Sequence, residues 1–436
     1  MSATIQKLWK TLLILALTSL VVFIFYSDEK KNEKLRDDDI PIVFYKEAYL
    51  DYRYSPPRIR VFSINPCLHS QSTLLIKIGS KFLKLSGEPL EGECPWAWAP
   101  TCYYNSYIFE TSVTDSDFRI SENISIILQN KNSDVPLKVI HPKTKEGLTV
   151  CVQPVYLYSQ FQNIILFIES WRNQGATHFI VYFHSSTNEV WMVLDHYQRL
   201  GILTIKPWPK FGDVPARYPE INSQVYRIGH TMAANLCILK MNTTLGTIVD
   251  FDEIIVPTTG SPNILESSRQ SLKEAKVGAL EFKHTRLQLD LNSEKTGFER
   301  KSLENPILLE KSGPVKLVFN TSSVGITLTH SIKKFINSSL KTIEVSIGLL
   351  LHYRYNGGQE AMRNKNTNFK IFEKNFEAHI RNIDTVTKSI FQEKRNLYEP
   401  RIILELNECI EEMRQSLVCR STVVNCKSRM EKLVSN

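Results

Sequence analysis

Between about residue 148 and residue 257 the chain alternates short apolar runs with amphipathic helical stretches, and no other feature limits its folds as tightly. VCVQPVYLY has the continuous apolarity of a buried strand. QFQNIILFIESWRNQG then sets Phe161, Ile164, Ile165, Ile168 and Trp171 at helical spacing and stops at Gly175, and THFIVYFHS follows as a second strand. TNEVWMVLDHYQRLG repeats the helix from Asn188 to Gly201, and ILTIKPW is a third strand. A helix over EINSQVYRIGHTMAANLCILKMN leads to the strand GTIVDFDEIIVP. Strands joined through helices pair most economically in parallel, so the expected class is α/β, with a Rossmann-like sheet whose ligand sits at the carboxyl ends of its strands.

Composition agrees with an ordered protein: of 436 residues 42% are apolar and 22% charged, with 17 Gly and 19 Pro. Lys plus Arg exceed Asp plus Glu by 53 to 45 without forming a basic stripe, so nucleic acid is not an expected partner. Thr11 to Tyr26 carries no charge, and with Leu8 and Trp9 it spans a thin bilayer if Lys10 snorkels. FIFYSDE offers no small-x-small cleavage site, so an uncleaved single-pass anchor is expected rather than a removed signal. Lys30, Lys31, Lys34 and Arg36 behind the span outnumber Lys7 and Lys10 before it, which by charge alone favours the reverse topology. Yet all 8 cysteines and the sequons at Asn123, Asn242, Asn320 and Asn337 lie beyond the anchor, which points to a type II protein of the Golgi or ER membrane with a lumenal C-terminal domain. No C-x-x-C occurs, and the CPWAWAPTC segment reads as structural disulfide chemistry rather than a metal site, with the pairing left open.

The expected organisation is a cytoplasmic tip and anchor over 1–26, the charged stem SDEKKNEKLRDDD over 27–39, a β-rich module over 40–147, the α/β domain over 148–400 and a Cys-containing extension over 401–436. IRVFSIN, TLLIKIG, KFLKLSG and ISIILQN supply the alternation expected of the β-rich module.

Three D-x-D strings occur, at Asp37/Asp39, Asp115/Asp117 and Asp250/Asp252. Only Asp250 follows a buried strand (Thr247, Ile248, Val249) and precedes an apolar run, which sets costly carboxylates against a core where they need a counter-charge. Two such carboxylates suit one hard divalent cation that neutralises a diphosphate. His330 and His352 each end an apolar run and are candidates to complete a metal shell, His352 as the third ligand and His330 for donor or acceptor contact. Lys316 and Arg354 are candidate diphosphate partners. Glu281 and His284, in LEFKHTRL at the end of another strand, are candidates for a general base.

As an ordered set, CVQPVYLY, GATHFIVYFHSS, DHYQRLGILTIKPW, AANLCILK followed by DFDEIIVP, and the late THS and LLHYRYN segments resemble glycosyltransferase family 92 from about Cys151 to Ile371. The resemblance implies a GT-A type nucleotide-sugar fold and a lumenal enzyme that transfers galactose from UDP-galactose in β linkage, by inversion, to a glycan on a glycoprotein or glycolipid. It implies Mn²⁺ on Asp250 and Asp252, with His330, His352, Lys316 and Arg354 at the family's late histidine and basic positions. The chain departs from the family where it reads His230 and Asn235-Leu236-Cys237 in the helix before the acidic motif, losing a carboxylate. Two alternatives follow from the residues: a membrane-anchored glycan-binding or scaffold protein that keeps the fold without catalysis, and a metal-dependent phosphatase or phosphotransferase whose first Asp is a nucleophile, although position 254 is Ile.

Overall fold

A computed structural model describes residues 43–434 except 68–72, 93–98, 100, 115–122, 129–130, 290–306, 310–312, 356–375, 392–399 and the single positions 209, 215, 217, 259, 275, 417, 420 and 421. The expected anchor and stem lie outside the described residues. Among the described residues no helix is long and apolar enough to cross a membrane.

Seven strands close into a barrel: β1 (Val43–Asp51), β2 (Arg58–Pro66), β3 (Thr73–Ile78), β4 (Lys81–Pro89), β5 (Tyr104–Ser112), β6 (Asn123–Leu128) and β7 (Lys131–Ile140), in the order β1-β2-β5-β4-β3-β6-β7. The closing pair, β1 with β7, is parallel. Alternate residues such as Leu74, Ile76 and Ile78 of β3 fill the barrel core while Leu75 and Lys77 face out, the period-2 pattern of its sequence.

The second body is a mixed sheet. β8 (Lys145–Val155), α1 (Phe161–Asn173), β9 (Ala176–Phe183), α2 (Asn188–Arg199) and β10 (Leu203–Pro207) alternate in sequence, and the chain then crosses to β11 (Thr243–Val249) on the other side of β8. These four strands are parallel. The reversal of winding between β8 and β11 opens a crevice at their carboxyl ends, the place where open α/β sheets take ligands. Beyond β11 the order continues β15-β13-β18-β12, formed by β12 (Glu253–Pro257), β13 (Val277–Leu289), β15 (Lys316–Asn320) and β18 (Lys341–Tyr355), with α5 (Ile264–Ser271) between β12 and β13 in sequence, β14 (Ile307–Leu309) paired to β13, and β16 (Val324–Thr327) with β17 (Ile332–Phe335) as a separate hairpin.

Two departures from the sequence reading shape the crevice. GTIVDFDEIIVP is two strands, β11 and β12, with Asp250–Asp252 as the turn between them. The helix expected over 220–242 is broken into α3 (Ile221–Gln224), a short turn and α4 (His230–Lys240). At the break Arg227, Ile228 and Gly229 have φ of 44°, 48° and 73°, a left-handed run that no α-helix continues through.

One core cluster packs α1 and α2 on one face of the sheet, with Trp171, Phe167 and Ile168 fully buried. The other packs α4 and barrel residues Phe62, Ile64 and Tyr104 on the opposite face, where Cys151 of β8 is joined to Cys237 of α4. Buried charges fasten the barrel to the sheet domain. Asp51 holds Arg53 at 2.7 Å and Arg60 at 3.1 Å, while Arg53 donates to the carbonyls of Thr321 and Val324 and Arg60 to that of Gly325. Cys102 is joined to Cys419 in the C-terminal segment, which contains α6 (Phe376–Phe391), α7 (Pro400–Gln415), α8 (Thr422–Asn425) and α9 (Lys427–Val434).

Candidate active site

The turn after β11 places its residues by alternation. Phe251 is buried against Phe167 and Tyr158, at centroid distances of 5.2 and 5.3 Å, so the carboxylates on either side turn outward. Both line a cavity of about 360 Å³ at the carboxyl ends of β8 and β11, within the range of small-molecule pockets. Three hydrogen bonds to its carbonyls hold the turn: Glu253 N–H donates to Asp250 O at 3.1 Å, Tyr353 N–H to Asp252 O at 2.7 Å, and the Trp171 side-chain Nε1–H to Glu253 O at 3.0 Å.

Glu253 pairs with His352 across β12 and β18, which brings His352 Nε2 to 2.9 Å from Asp252 Oδ2. Behind His352, His284 Nε2 lies 3.0 Å from its Nδ1, so the two rings and Asp252 form a chain. Gly313 is required there, because a Cβ at that position would meet the His284 ring at 2.6 Å. Lys316 on β15 reaches Glu253 at 3.0 Å and Asp250 at 3.3 Å, buried to 1% exposure, whereas the Asp250 side chain is 46% exposed.

The electrostatics follow from this layout. Burial alone would raise the Asp250 carboxyl, but Lys316, Arg227 and His352 hold it at about 2. Burial pushes Glu253 up to about 7, and the charges of Asp250 and Asp252 add to the rise against Lys316. Burial takes His330 down to about 4, helped by Lys316, and its Nδ1 lies 2.9 Å from Val315 O. Among the described residues no three His, Cys, Asp or Glu side chains already surround one metal position.

The structure thus gathers Asp250, Asp252, Lys316, His352 and His284, with His330 close enough to feel the charges of Lys316 and Asp250. Glu281 is not among them. Phe282 pairs with Lys316 and Glu281 with Leu317, so strand alternation turns Glu281 to the sheet face opposite Phe282, and no hydrogen bond or ion pair joins it to the cluster among the described residues. Lys316 also differs from its expected setting, since it is buried in ion pairs rather than open to a ligand. The Arg354 side chain lies outside the described residues.

Two members escaped the sequence reading. Glu253 adjoins the D-x-D string but reads there as one more strand-end acid. Arg227 is exposed in the cavity beside Asp250, carried by the left-handed turn, and its guanidinium lies 5.4 Å from the Tyr226 ring centroid. Bulky residues at positive φ store strain that clusters at functional sites. The sequence signal was Gly229 inside a helical pattern.

The model of glycosyltransferase family 92 matches residues 146–391, more than half of the chain. The chain belongs to glycosyltransferase family 92. A family 92 protein of Caenorhabditis elegans is 23% identical over 159 residues, covering 36% of this chain and 31% of the relative. A second from the same organism is 24% identical over 185 residues, covering 42% and 35%. The matches thus span about a third of the length of these curated relatives. A solved mannosyltransferase of Pyrobaculum calidifontis, in complex with GDP-Man and Mn²⁺, is 10% identical over 67% of this chain and 89% of its own, with a TM-score of 0.27, too low to carry an argument. In this family member the crevice between β8 and β11 is the candidate active site.

Proposed function

We propose that the chain transfers a sugar, galactose by the resemblance, from a UDP-sugar to a hydroxyl of a glycan on a glycoprotein or glycolipid, with inversion, in a GT-A type domain. The observation that carries the reading is the acidic turn Asp250–Asp252 with His352 against it, at the carboxyl end of β11 and facing the cavity. Asp250 and Glu253 converge there on the buried ammonium of Lys316 and Asp252 on His352, while the Asp250 and Asp252 side chains stay 46% and 27% exposed, so both aspartates keep oxygens open to a divalent cation.

Asp250, Asp252 and His352 would hold that cation, and carboxylate oxygens suit Mn²⁺. When bound, it supplies positive charge to the departing diphosphate. Lys316 keeps Asp250 and Glu253 in place from the buried side. Arg227, exposed in the cavity, is the cation placed to meet phosphate oxygens. His284 acts as a positioning residue for His352 rather than as a base, and Glu281 takes no part in the reaction. His330 stays neutral near neutral pH and is suited to donor or acceptor hydrogen bonding.

We place the protein in the Golgi or ER membrane as a single-pass type II chain, on the support of the apolar run over 11–26, the four sequons and the disulfides. The test is a donor screen: the full chain with a panel of UDP-sugars and an acceptor glycan mixture, with Mn²⁺ or with chelator, scored for UDP release. Release with one donor and its loss in chelator are expected. No release above background with any donor would overturn the reading.

A further inference from the structure

Three of the four sequons fall at one end of the sheet. β11 starts directly after Asn242, β15 ends at Asn320, and β18 starts just beyond Asn337. The register brings these ends together: Leu245 of β11 pairs with Asn320, Ala279 of β13 with Phe319, and Val277 of β13 with Lys341 of β18. The 7 residues of β11 separate Asn242 from Asp250, about 25 Å along an extended strand. These sequons therefore stand at the pole opposite the acidic turn. The side chain of Asn123, the fourth, lies outside the described residues.

What surrounds the amide differs among the three. Asn242 is exposed in the link between α4 and β11, where Met241 and Thr243 on either side are buried and fix the link to the core. Asn337, Ser338 and Ser339 are all exposed in the turn between β17 and β18. That turn is anchored from beneath. Phe335 packs over Gly278, where a Cβ would meet its ring at 2.5 Å, while Ile336 N–H donates to Ser323 O at 2.8 Å and Lys341 N–H to Lys276 O at 2.9 Å.

Asn320 is half-buried, and its sequon is built into the joint between barrel and sheet domain. Its Oδ1 accepts from Ser322 N–H at 2.9 Å, and Ser322 Oγ accepts from Lys143 N–H at 2.7 Å. Thr321 between them is fully buried, donates through Oγ1 to Thr243 O at 2.6 Å and takes the Arg53 guanidinium of the barrel on its carbonyl at 2.8 Å. An N-linked oligosaccharide is bulky and hydrated and needs open solvent around its asparagine. At Asn320 it would have to push apart buried hydrogen bonds that join the two bodies, whereas at Asn242 and Asn337 it displaces only water.

We propose that Asn242 and Asn337 carry N-linked oligosaccharides and that Asn320 does not, so that sugar covers the amino ends of β11 and β18 and leaves the crevice at the other pole open. In the attachment the anomeric carbon of a lipid-diphosphate-linked oligosaccharide becomes bonded to the asparagine Nδ2, the lipid diphosphate leaves, and the amide gives up one proton. The proposal rests on the lumenal topology proposed above, which by itself does not choose among sequons.

The test uses the full chain expressed in cells with a secretory pathway and purified from their membranes. Peptide N-glycosidase in heavy-oxygen water converts each occupied asparagine to labelled aspartate, and mass spectrometry of the parent chain reads every sequon separately. Label at Asn242 and Asn337 in most molecules and none at Asn320 is expected. On gels, Asn242→Gln and Asn337→Gln should each remove one glycosidase-sensitive step, and Asn320→Gln none. Label at Asn320, or its absence from Asn242 or Asn337 while another sequon is labelled, would overturn the assignment. No label at any of the four would overturn it together with the lumenal topology. Label at Asn123 alone would leave the topology standing and defeat only the choice of sites.

Discussion

The barrel and the sheet domain each bury a cluster of carboxylates and cations, and the two are built to opposite ends. In the barrel, Asp51 is shared by Arg53 and Arg60 and Glu110 by Arg58, Arg60 and Lys334, and Arg53 and Arg60 donate further to carbonyls of Thr321, Val324 and Gly325. At the carboxyl ends of the strands, Asp250 and Glu253 share Lys316 and Asp252 leans on His352, and the side chains of Asp250 and Asp252 remain 46% and 27% exposed toward the cavity. A closed cluster in which every carboxylate is paired fixes one domain on another. An open, acidic one is unfinished without a ligand, and this difference, rather than burial of charge as such, marks the functional site.

Removing a carboxylate should therefore act on stability in the first cluster and on chemistry in the second. Asp51→Ala leaves the buried Arg53 guanidinium without its carboxylate and Arg60 with Glu110 alone, and should cost about 3–5 kcal/mol in urea unfolding. Asp252→Asn should change stability by less than about 1 kcal/mol yet lower Mn²⁺-dependent UDP binding at least about 100-fold, the upper end of what even an outer ligand costs. A folded, active Asp51→Ala variant, or an Asp252→Asn chain that unfolds, would erase the distinction.

His284 and Glu281 sharpen it further, since they share one strand and only His284 reaches the cluster among the described contacts. His284→Ala releases the His352 ring and should lower metal affinity about 10–100-fold, with His284→Gln restoring most of it through its own amide donor. Glu281→Gln should stay within about twofold on the same assay, as expected of a residue outside the cluster. Raised Mn²⁺ should rescue His284→Ala in part, which a merely structural lesion would not allow.

Much of this was legible in the sequence, and the reasons are specific. The helix around Phe161–Trp171 and the strands flanking it are long periodic segments that tertiary contacts reinforce. Asp250 and Asp252 were separable from two other D-x-D strings because Val249 before them is buried. Arg227 was not legible, because its place depends on three successive left-handed residues that only packing on Tyr226, Ile228 and the barrel stabilises. Lys316 was seen but misjudged, since a sequence shows an abundance of basic residues and not which one is closed in. Glu281 and His284 looked like one unit because spacing along a strand says nothing of its register against β15 and β18.

The smallest expected effect concerns a third kind of buried titratable group, one held by neutral side chains among the described residues. His379 of α6 is 1% exposed, takes the Asn173 amide on Nδ1 at 2.8 Å and lies 3.4 Å from Ser170 Oγ through Nε2. With Asn173 Nδ2 donating to Nδ1, the proton sits on Nε2, and a second proton on Nδ1 would break the 2.8 Å bond inside the core. Burial accordingly lowers this imidazole from the ordinary histidine value of 6.5 to about 4. Between those two values the unfolded chain binds a proton that the folded chain refuses, so stability rises with pH through the window and is lost as pH falls through it. By pH 5.5 the loss should reach about 1 kcal/mol, and replacing His379 with Gln, which cannot titrate, should flatten the slope of unfolding free energy between pH 6.5 and 4. An unchanged slope in His379→Gln would assign the acid sensitivity of that window to other groups. A slope that vanishes would show that α6 is docked by a neutral contact, in contrast to the ion pairs that dock the barrel.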